Sequence, residues 1–214
     1  MSGVLVKICG LTDPKAVAAA VEGGADLVGV VFFAKSPRYV TPERAAELLA
    51  DVPRKIKRVG LFVDADDRLL DQVLTRVRLD MLQLHSKETP ARVEAVRAAW
   101  GLPVMKALGI STAADLDAAK PYLEVADRLM FDAKPPAGAT RPGGNAVAFD
   151  WTLLAGKKWK LPWMLAGGLT ARNVAQAIKR SGAKAVDVSS GVEKAPGVKD
   201  PAKIKRFIAA AKGL

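Results

Sequence analysis

The sequence predicts an α/β fold in which eight parallel strands close into a single-domain (β/α)₈ barrel, the TIM-barrel architecture. Short apolar runs rich in Val, Ile and Leu alternate with helix-like runs along all 214 residues, without a break in composition. Strands that alternate with helices form a parallel sheet. Eight such units in a chain of this length favour a closed barrel over an open doubly wound sheet, so residues 1–214 are expected to form one domain.

The first four β/α units are marked by short apolar runs and by residues that start helices. Strands are expected at residues 4–9, 27–32, 57–63 and 80–85. Helices are expected at residues 12–22, 41–50, 66–77 and 89–100. Thr or Asp next to Pro begins three of these helices, a combination that is typical of a helix N-terminus.

The second half of the chain continues the same alternation. Strands are expected at residues 103–108, 128–132, 162–166 and 185–188. A weaker, Ala-rich helix is expected at residues 111–123, a short helix near 149–150, and longer helices at 170–181 and 200–212. A Gly- and Pro-rich loop spans residues 134–147, between the sixth strand and the short helix.

The chain is strongly basic, with 33 Lys and Arg against 22 Asp and Glu and a formal net charge of +11. Such a surplus indicates either nucleic acid or an anionic small molecule as a partner. The basic runs mostly precede the third, seventh and eighth strands, at the end of the barrel opposite the expected active site, and they lack aromatic residues spaced for base stacking. We therefore expect solvated basic faces and no nucleic-acid partner.

Cys9 is the only cysteine in the chain. A single cysteine excludes an internal disulfide and fits a reducing cytoplasm. The sequence has no signal-peptide pattern and no apolar run of the ~20 residues that a membrane helix needs. We expect a cytoplasmic monomer or homodimer without a membrane partner.

Residues capable of chemistry follow the predicted strands. Active sites of (β/α)₈ barrels lie at the C-terminal ends of the strands. The side chains expected there are Cys9 after the first strand, Arg38 after the second, His85 after the fourth, and Asp132 after the sixth. A thiol, a guanidinium, an imidazole and a carboxylate therefore converge on one mouth.

Cys9 and Asp132 are expected to face each other across this mouth, as a general base and a general acid do across a substrate. Alternation along the first strand places Lys7 on the same face as Cys9. We expect the positive charges of Lys7 and Arg38 to lower the pKa of the thiol. The alternatives are that Cys9 is a small core residue and that Asp132 caps the following turn.

Two glycine-containing turns predict a phosphate site. Gly167-Gly168 lets backbone N–H groups approach a ligand closely, and Ser189-Ser190-Gly191 should lead into a short helix whose N-terminus favours an anion. Phosphate sites in this fold follow strands seven and eight. We therefore predict a phosphorylated small-molecule substrate, with Gly144 and Asn145 as further phosphate-binding residues. The alternative is a pair of ordinary turns.

Lys7 and Asp187 are charged residues in strands that should be apolar. The first and eighth strands are neighbours in a closed barrel, so the two side chains are expected to form a buried ion pair beneath the active site. The alternative is that either side chain reaches the mouth and contacts substrate hydroxyls, which makes Asp187 a candidate substrate-binding residue.

Six motifs, taken in order, resemble those of the phosphoribosylanthranilate isomerases of tryptophan biosynthesis. They are Lys7-Ile8-Cys9-Gly10, Lys35-Ser36-Pro37-Arg38-Tyr39-Val40, Gln83-Leu84-His85, Phe149-Asp150-Trp151, Ala166-Gly167-Gly168-Leu169 and Val186-Asp187-Val188-Ser189-Ser190-Gly191-Val192-Glu193. The resemblance covers nearly the whole chain. It implies an Amadori rearrangement of N-(5-phosphoribosyl)anthranilate that uses no metal and no cofactor.

The same resemblance implies a role for each matching residue. Cys9 is the general base, Asp132 is the general acid, and Arg38 meets the anthranilate carboxylate, while His85 belongs to the substrate-binding set. Two positions depart from the family pattern, because Ser86 and Ala146 stand where the family usually has Gly. The rival hypotheses are a histidine-pathway isomerase with two catalytic aspartates, a flavin-phosphate binder, and a barrel that binds nucleic acid.

Overall fold

The computed structural model describes residues 3–135, 143 and 148–213. Eight parallel strands close into a barrel in their order along the chain. They are β1 (Leu5–Cys9), β2 (Leu27–Val31), β3 (Lys57–Phe62), β4 (Met81–Leu84), β5 (Val104–Ile110), β6 (Arg128–Ala133), β7 (Trp163–Leu165) and β8 (Ala185–Val188). The predicted α/β barrel is therefore confirmed.

Helices cover the outside of this barrel between successive strands. The α-helices are α1 (Pro14–Glu22), α2 (Pro42–Leu49), α3 (Asp67–Leu74), α4 (Pro90–Trp100), α5 (Val174–Ser181) and α6 (Pro201–Lys212). No helix in the described part of the chain is long and apolar enough to cross a membrane.

Side-chain caps begin several helices where the sequence indicates. The Asp13 carboxylate accepts a hydrogen bond from the N–H of Ala16 at 3.1 Å, and the hydroxyls of Thr41 and Thr89 cap α2 and α4 in the same way. Proline occupies the first turn of all three helices, where its missing N–H leaves no helical bond unmade. These caps fix where each helix leaves the rim of the barrel.

The connections after β5 and β6 differ from the α-helices that precede them. A helix was expected at residues 111–123, and the structure has a 3₁₀ helix there, Ala113–Tyr122. Pro121 lies inside this helix. Proline removes one backbone donor and disfavours a regular α-helix, which accounts for the difference. The short helix expected near residues 149–150 is a second 3₁₀ helix, Trp151–Leu154.

The barrel wall separates two apolar layers. The larger layer lies between the strands and the helices, and the smaller one fills the inside of the barrel. The inner layer contains Leu27, Val59, Met105, Ala107, Met130, Met164, Ala166 and Ala185. Register places Lys7 level with both Leu27 and Asp187, so charged side chains share the inward face with this apolar layer.

A small antiparallel hairpin follows the eighth strand and was not predicted. Its strands are β9 (Glu193–Ala195) and β10 (Val198–Lys199). The turn between them contains Pro196-Gly197, and Gly197 has φ +80°, a conformation that favours glycine. The Pro-Gly dipeptide was the available signal for this turn. The hairpin packs against the loop that follows β2, because a Cβ on Gly197 would lie 2.3 Å from the carbonyl oxygen of Pro37.

Candidate active site

A cavity opens at the C-terminal ends of the strands, with about 490 Å³ of empty space that includes open solvent. Its walls bring together half of the twelve predicted site residues. The lining consists of Cys9, Val31, Phe33, Ser36, Arg38, Leu61, Val63, Gln83, His85, Asp132, Gly143, Asp187 and Ser189. Polar groups thus converge on a partly apolar cleft, the usual form of a small-molecule site.

Lys7 and Asp187 form the predicted buried ion pair. Lys7 Nζ lies 2.8 Å from Asp187 Oδ1, and the lysine side chain is fully buried. Burial acts to lower the pKa of Lys7, but the charges of Asp187 and Cys9 outweigh it and raise the pKa. Lys7 therefore remains an ammonium group. Asp187 also lines the cavity, so the pair lies at the floor of the site.

The Cys9 thiol is buried beside this ion pair. Burial is the largest influence on its pKa and raises it, and the opposing charge of Lys7 does not offset burial. The prediction of a lowered thiol pKa is therefore wrong, because removing a thiolate from water costs more than the one adjacent ammonium returns. The alternative of an inert core cysteine does not account for the place of Cys9 in the cavity wall.

Gly29, on the neighbouring strand, leaves room for both reactive groups. It pairs with Cys9 in register. A Cβ at Gly29 would lie 3.1 Å from Cys9 Sγ and 3.3 Å from Lys7 Nζ, closer than most real Cβ contacts. The glycine in β2 is therefore explained by the space that the Cys9 sulfur and the Lys7 ammonium need.

Asp132 is held by two neighbours on the far side of the cavity. Its Oδ1 accepts a hydrogen bond from the N–H of Ala133 at 2.8 Å, and its Oδ2 lies 3.3 Å from Nε2 of His85. This backbone bond stays within β6, so it is not the cap of the following turn that was the alternative for Asp132. The other oxygen faces His85, and the Asp132 residue lines the cavity.

His85 lies between Asp132 and a buried glutamine. Gln83 Nε2 is 3.2 Å from Nδ1 of His85. An amide nitrogen only donates, so in this orientation of the Gln83 amide Nδ1 accepts and the imidazole N–H is on Nε2, facing Asp132. Gly143 covers the pair, because a Cβ there would lie 2.7 Å from His85 Cε1. His85 therefore contacts the expected acid as well as the cavity.

Arg38 is buried rather than open on a rim loop as its position in the sequence suggested. Only 4% of the residue is exposed. Its Nε and Nη2 donate to the two carboxylate oxygens of Glu193 at 2.7 and 2.9 Å. Glu193 was part of a quoted motif but had no predicted role, because 155 positions separate it from Arg38.

The predicted phosphate turns lie against each other. Gly167 and Gly168 have φ +87° and +61°, and a Cβ on Gly191 would lie 1.9 Å from the carbonyl oxygen of Leu169. Ser190–Val192 form the expected short helix, of 3₁₀ type. Of this set Ser189 lines the cavity. Gly144 and Asn145 lie outside the described residues, as does Ala146.

Asn173 was missed by the sequence analysis and holds the first of these turns. Its Nδ2 donates to the carbonyl oxygen of Gly168 at 3.0 Å, and its Oδ1 accepts from the N–H of Thr170 at 2.7 Å. The Gly-Leu-Thr-x-x-Asn spacing is the signal that could have found it, since Asn commonly binds backbone in turns. The turn after β7 is therefore braced by its own helix.

Ser86 does not have the positive φ angle that would require a glycine at its position. Among the described non-glycine residues only Asp64 has a positive φ. The Ser86 N–H donates to Glu88 at 2.9 Å, and its carbonyl oxygen accepts from Lys106 at 2.7 Å. Lys106 and Glu88 form another buried ion pair at 2.6 Å. This departure from the family pattern therefore leaves the loop that follows His85 well bonded.

Comparison with known proteins shows which family the chain resembles. A family model described as N-(5'-phosphoribosyl)anthranilate (PRA) isomerase matches residues 6–210. The N-(5'-phosphoribosyl)anthranilate isomerase of Paramagnetospirillum magneticum is 68% identical over 98% of both chains. The crystal structure of phosphoribosyl anthranilate isomerase from Thermotoga maritima covers 99% of this chain and 100% of its own, with 39% identity and a TM-score of 0.88.

A second crystal structure shows a phosphoribosyl anthranilate isomerase in complex with reduced 1-(o-carboxyphenylamino)-1-deoxyribulose 5-phosphate. It is 38% identical, covers 99% of this chain and 100% of its own, and has a TM-score of 0.85. Both the match to the family model and the identity to the relatives extend over nearly the full length. The chain therefore belongs to the N-(5'-phosphoribosyl)anthranilate isomerase family.

Proposed function

We propose that Cys9 and Asp132 act as general base and general acid in the Amadori rearrangement of N-(5'-phosphoribosyl)anthranilate, a step of tryptophan biosynthesis. The product is 1-(2-carboxyphenylamino)-1-deoxyribulose 5-phosphate. One observation supports this assignment most directly: the thiol of β1 and the carboxyl group of β6 line the same cavity, on strands that lie far apart around the barrel. A base and an acid so placed can act on opposite sides of one substrate.

The reaction begins with ring opening. The anthranilate nitrogen donates its lone pair to C1′ while the bond from C1′ to the ring oxygen breaks, and protonated Asp132 gives its proton to that oxygen. The Cys9 thiolate then removes the proton from C2′, and the electrons of that C–H bond move into the C1′–nitrogen system to give an enolamine. The Cys9 thiol then returns a proton to C1′ and the Asp132 carboxylate takes the 2′-hydroxyl proton, which gives the ketone and restores both residues. Electrons balance within the substrate.

Lys7 and Asp187 support the base. The raised pKa of Cys9 means that the thiol form is favoured in the buried site. The adjacent Lys7 ammonium, fixed at 2.8 Å by Asp187, is the group that stabilises the thiolate when it forms. Burial keeps the sulfur strongly basic, and the fixed cation allows its thiolate to form, a combination that suits removal of a proton from carbon.

The two anionic ends of the substrate match two parts of the site. Arg38 borders the cavity and suits a carboxylate. The turns at Gly167-Gly168 and Ser189-Ser190-Gly191 present backbone N–H groups and suit a phosphate. The proposed phosphorylated substrate thus places its aromatic carboxylate toward Arg38 and its phosphate toward β7 and β8.

Two substitutions test the assignment. Cys9→Ser and Asp132→Asn should each lower turnover by several orders of magnitude while the protein stays folded, because a hydroxyl is a poor base and an amide carries no acidic proton. Turnover is measured as loss of phosphoribosylanthranilate fluorescence. Asp117→Asn, at an exposed carboxylate, is the control and should keep full turnover. A Cys9 or Asp132 variant that retains most of its turnover removes that residue from the mechanism.

A further inference from the structure

We propose that Glu193 and Lys199, both on the hairpin β9–β10, are positioning residues that fix the Arg38 guanidinium for the carboxylate of the substrate. The inference rests on the proposed function. It assigns to the hairpin a part in substrate recognition, through contacts with Arg38 on one side and with Ser189 on the other.

Glu193 holds Arg38 in one orientation. Two parallel hydrogen bonds join Nε and Nη2 of Arg38 to the two oxygens of Glu193, and both side chains are about 95% buried. Bidentate pairs of this kind fix the plane of the guanidinium. The remaining nitrogen, Nη1, makes no contact with Glu193 and belongs to a residue of the cavity wall. Among the described residues no hydrogen bond engages Nη1, so this edge of Arg38 is the one that we assign to a second carboxylate.

Lys199 connects this pair to the phosphate turn. Its Nζ donates to Glu193 Oε1 at 2.8 Å, to the carbonyl oxygen of Ser189 at 2.8 Å and to Ser189 Oγ at 3.1 Å. These three acceptors use all three N–H bonds of an ammonium group. The lysine side chain is fully buried. A shift of the hairpin therefore moves the carboxylate end and the phosphate end of the site together.

The buried cluster holds the Glu193 carboxylate between the guanidinium of Arg38 and Nζ of Lys199, and burial lowers the pKa of Lys199 from its ordinary value. Burial raises the pKa of Glu193, but hydrogen bonds from Arg38 and the charge of Lys199 outweigh it and leave the pKa below its usual value. Glu193 is thus a carboxylate between two cations. The guanidinium of Arg38 is always charged, so a second carboxylate at its other edge gains a charge-assisted hydrogen bond. The anthranilate carboxylate supplies one negative charge.

The backbone at Gly10 packs closely against the cluster. Gly10 has φ +75°, and a Cβ there would lie 2.6 Å from Cδ of Arg38 and 3.1 Å from Oγ of Ser189. The hydroxyl of Thr12 donates to the carbonyl oxygen of Gly197 at 3.2 Å, which ties the hairpin to the segment after β1. The Arg38 stem is therefore enclosed by β1 on one side and by the hairpin on the other.

The test compares two ligands that differ only in the carboxylate. One is reduced 1-(o-carboxyphenylamino)-1-deoxyribulose 5-phosphate, and the other is the same compound with a plain phenyl ring. The dissociation constant of the phenyl compound divided by that of the carboxylated compound measures how well the protein recognises the carboxylate. In Glu193→Gln this ratio should fall by about tenfold or more, because the guanidinium loses its charged partner, while the phenyl compound binds nearly as in the parent protein.

A second variant and a control complete the experiment. Lys199→Met should reduce the same ratio and also weaken binding of inorganic phosphate, whereas Lys194→Gln, at an exposed lysine of the same hairpin, should change neither. Equal losses for both ligands in Glu193→Gln, or an unchanged ratio in both variants, would overturn the proposal. Binding does not depend on proton transfer, so this result is independent of the roles assigned to Cys9 and Asp132.

Discussion

At the scale of single residues, the site depends on Lys7, a fully buried ammonium between a carboxylate and a thiol. The sequence allowed this pairing to be predicted, because neighbouring barrel strands place Lys7 and Asp187 at the same level. It did not allow the pKa of Cys9 to be predicted. The balance between burial and one adjacent cation depends on how much water reaches the sulfur, and a strand pattern does not show that.

Lys7→Met should destabilise the fold by about 3–5 kcal/mol, because it leaves the Asp187 carboxylate buried without a partner. Lys7→Met combined with Asp187→Leu should recover part of that stability but none of the activity. Urea unfolding of the two single variants and the double variant measures the coupling. If the losses simply add, the two residues do not interact in the folded protein.

At the scale of elements, the apolar runs and helix caps located all eight strands and most helices. Asp13, Thr41 and Thr89 each cap a helix beside a proline, so local chemistry was sufficient there. The hairpin β9–β10 was missed because strands of three and two residues are too short to show an alternating pattern. This hairpin matters because it brings Glu193 into contact with Arg38, and the spacing of these residues in the sequence does not reveal that contact.

The turns after β7 and β8 should respond sharply to added volume. Gly191→Ala would place a Cβ 1.9 Å from the carbonyl oxygen of Leu169, so one turn has to move. We expect inhibition by inorganic phosphate to weaken by about tenfold or more, because the turn supplies the N–H donors.

Gly3→Ala is the matched control for this substitution, since a Cβ at Gly3 has no neighbour within 4 Å. It should leave phosphate inhibition unchanged. Undiminished inhibition in Gly191→Ala would show that phosphate binds elsewhere.

At the scale of the whole molecule, the basic runs and the cavity lie at opposite ends of the barrel. The basic residues that precede β3, β7 and β8 lie at the N-terminal ends of the strands, whereas the cavity lies at the C-terminal ends. The groups that we propose to bind anions in the site are few, and each has its own hydrogen-bond partners. The prediction that the basic faces bind no nucleic acid and the prediction of a monomer or homodimer both stay predictions.

The central claim is that Cys9 is the general base and Asp132 the general acid. Substrate labelled with deuterium at C2′ tests it most directly. Cys9→Ser slows removal of the C2′ proton, so its residual kcat/KM should show a full primary isotope effect. Asp132→Asn slows ring opening, in which the C2′ bond stays intact, so its residual kcat/KM should show almost none. The reverse pattern, or the same isotope effect in both variants, would contradict the assignment.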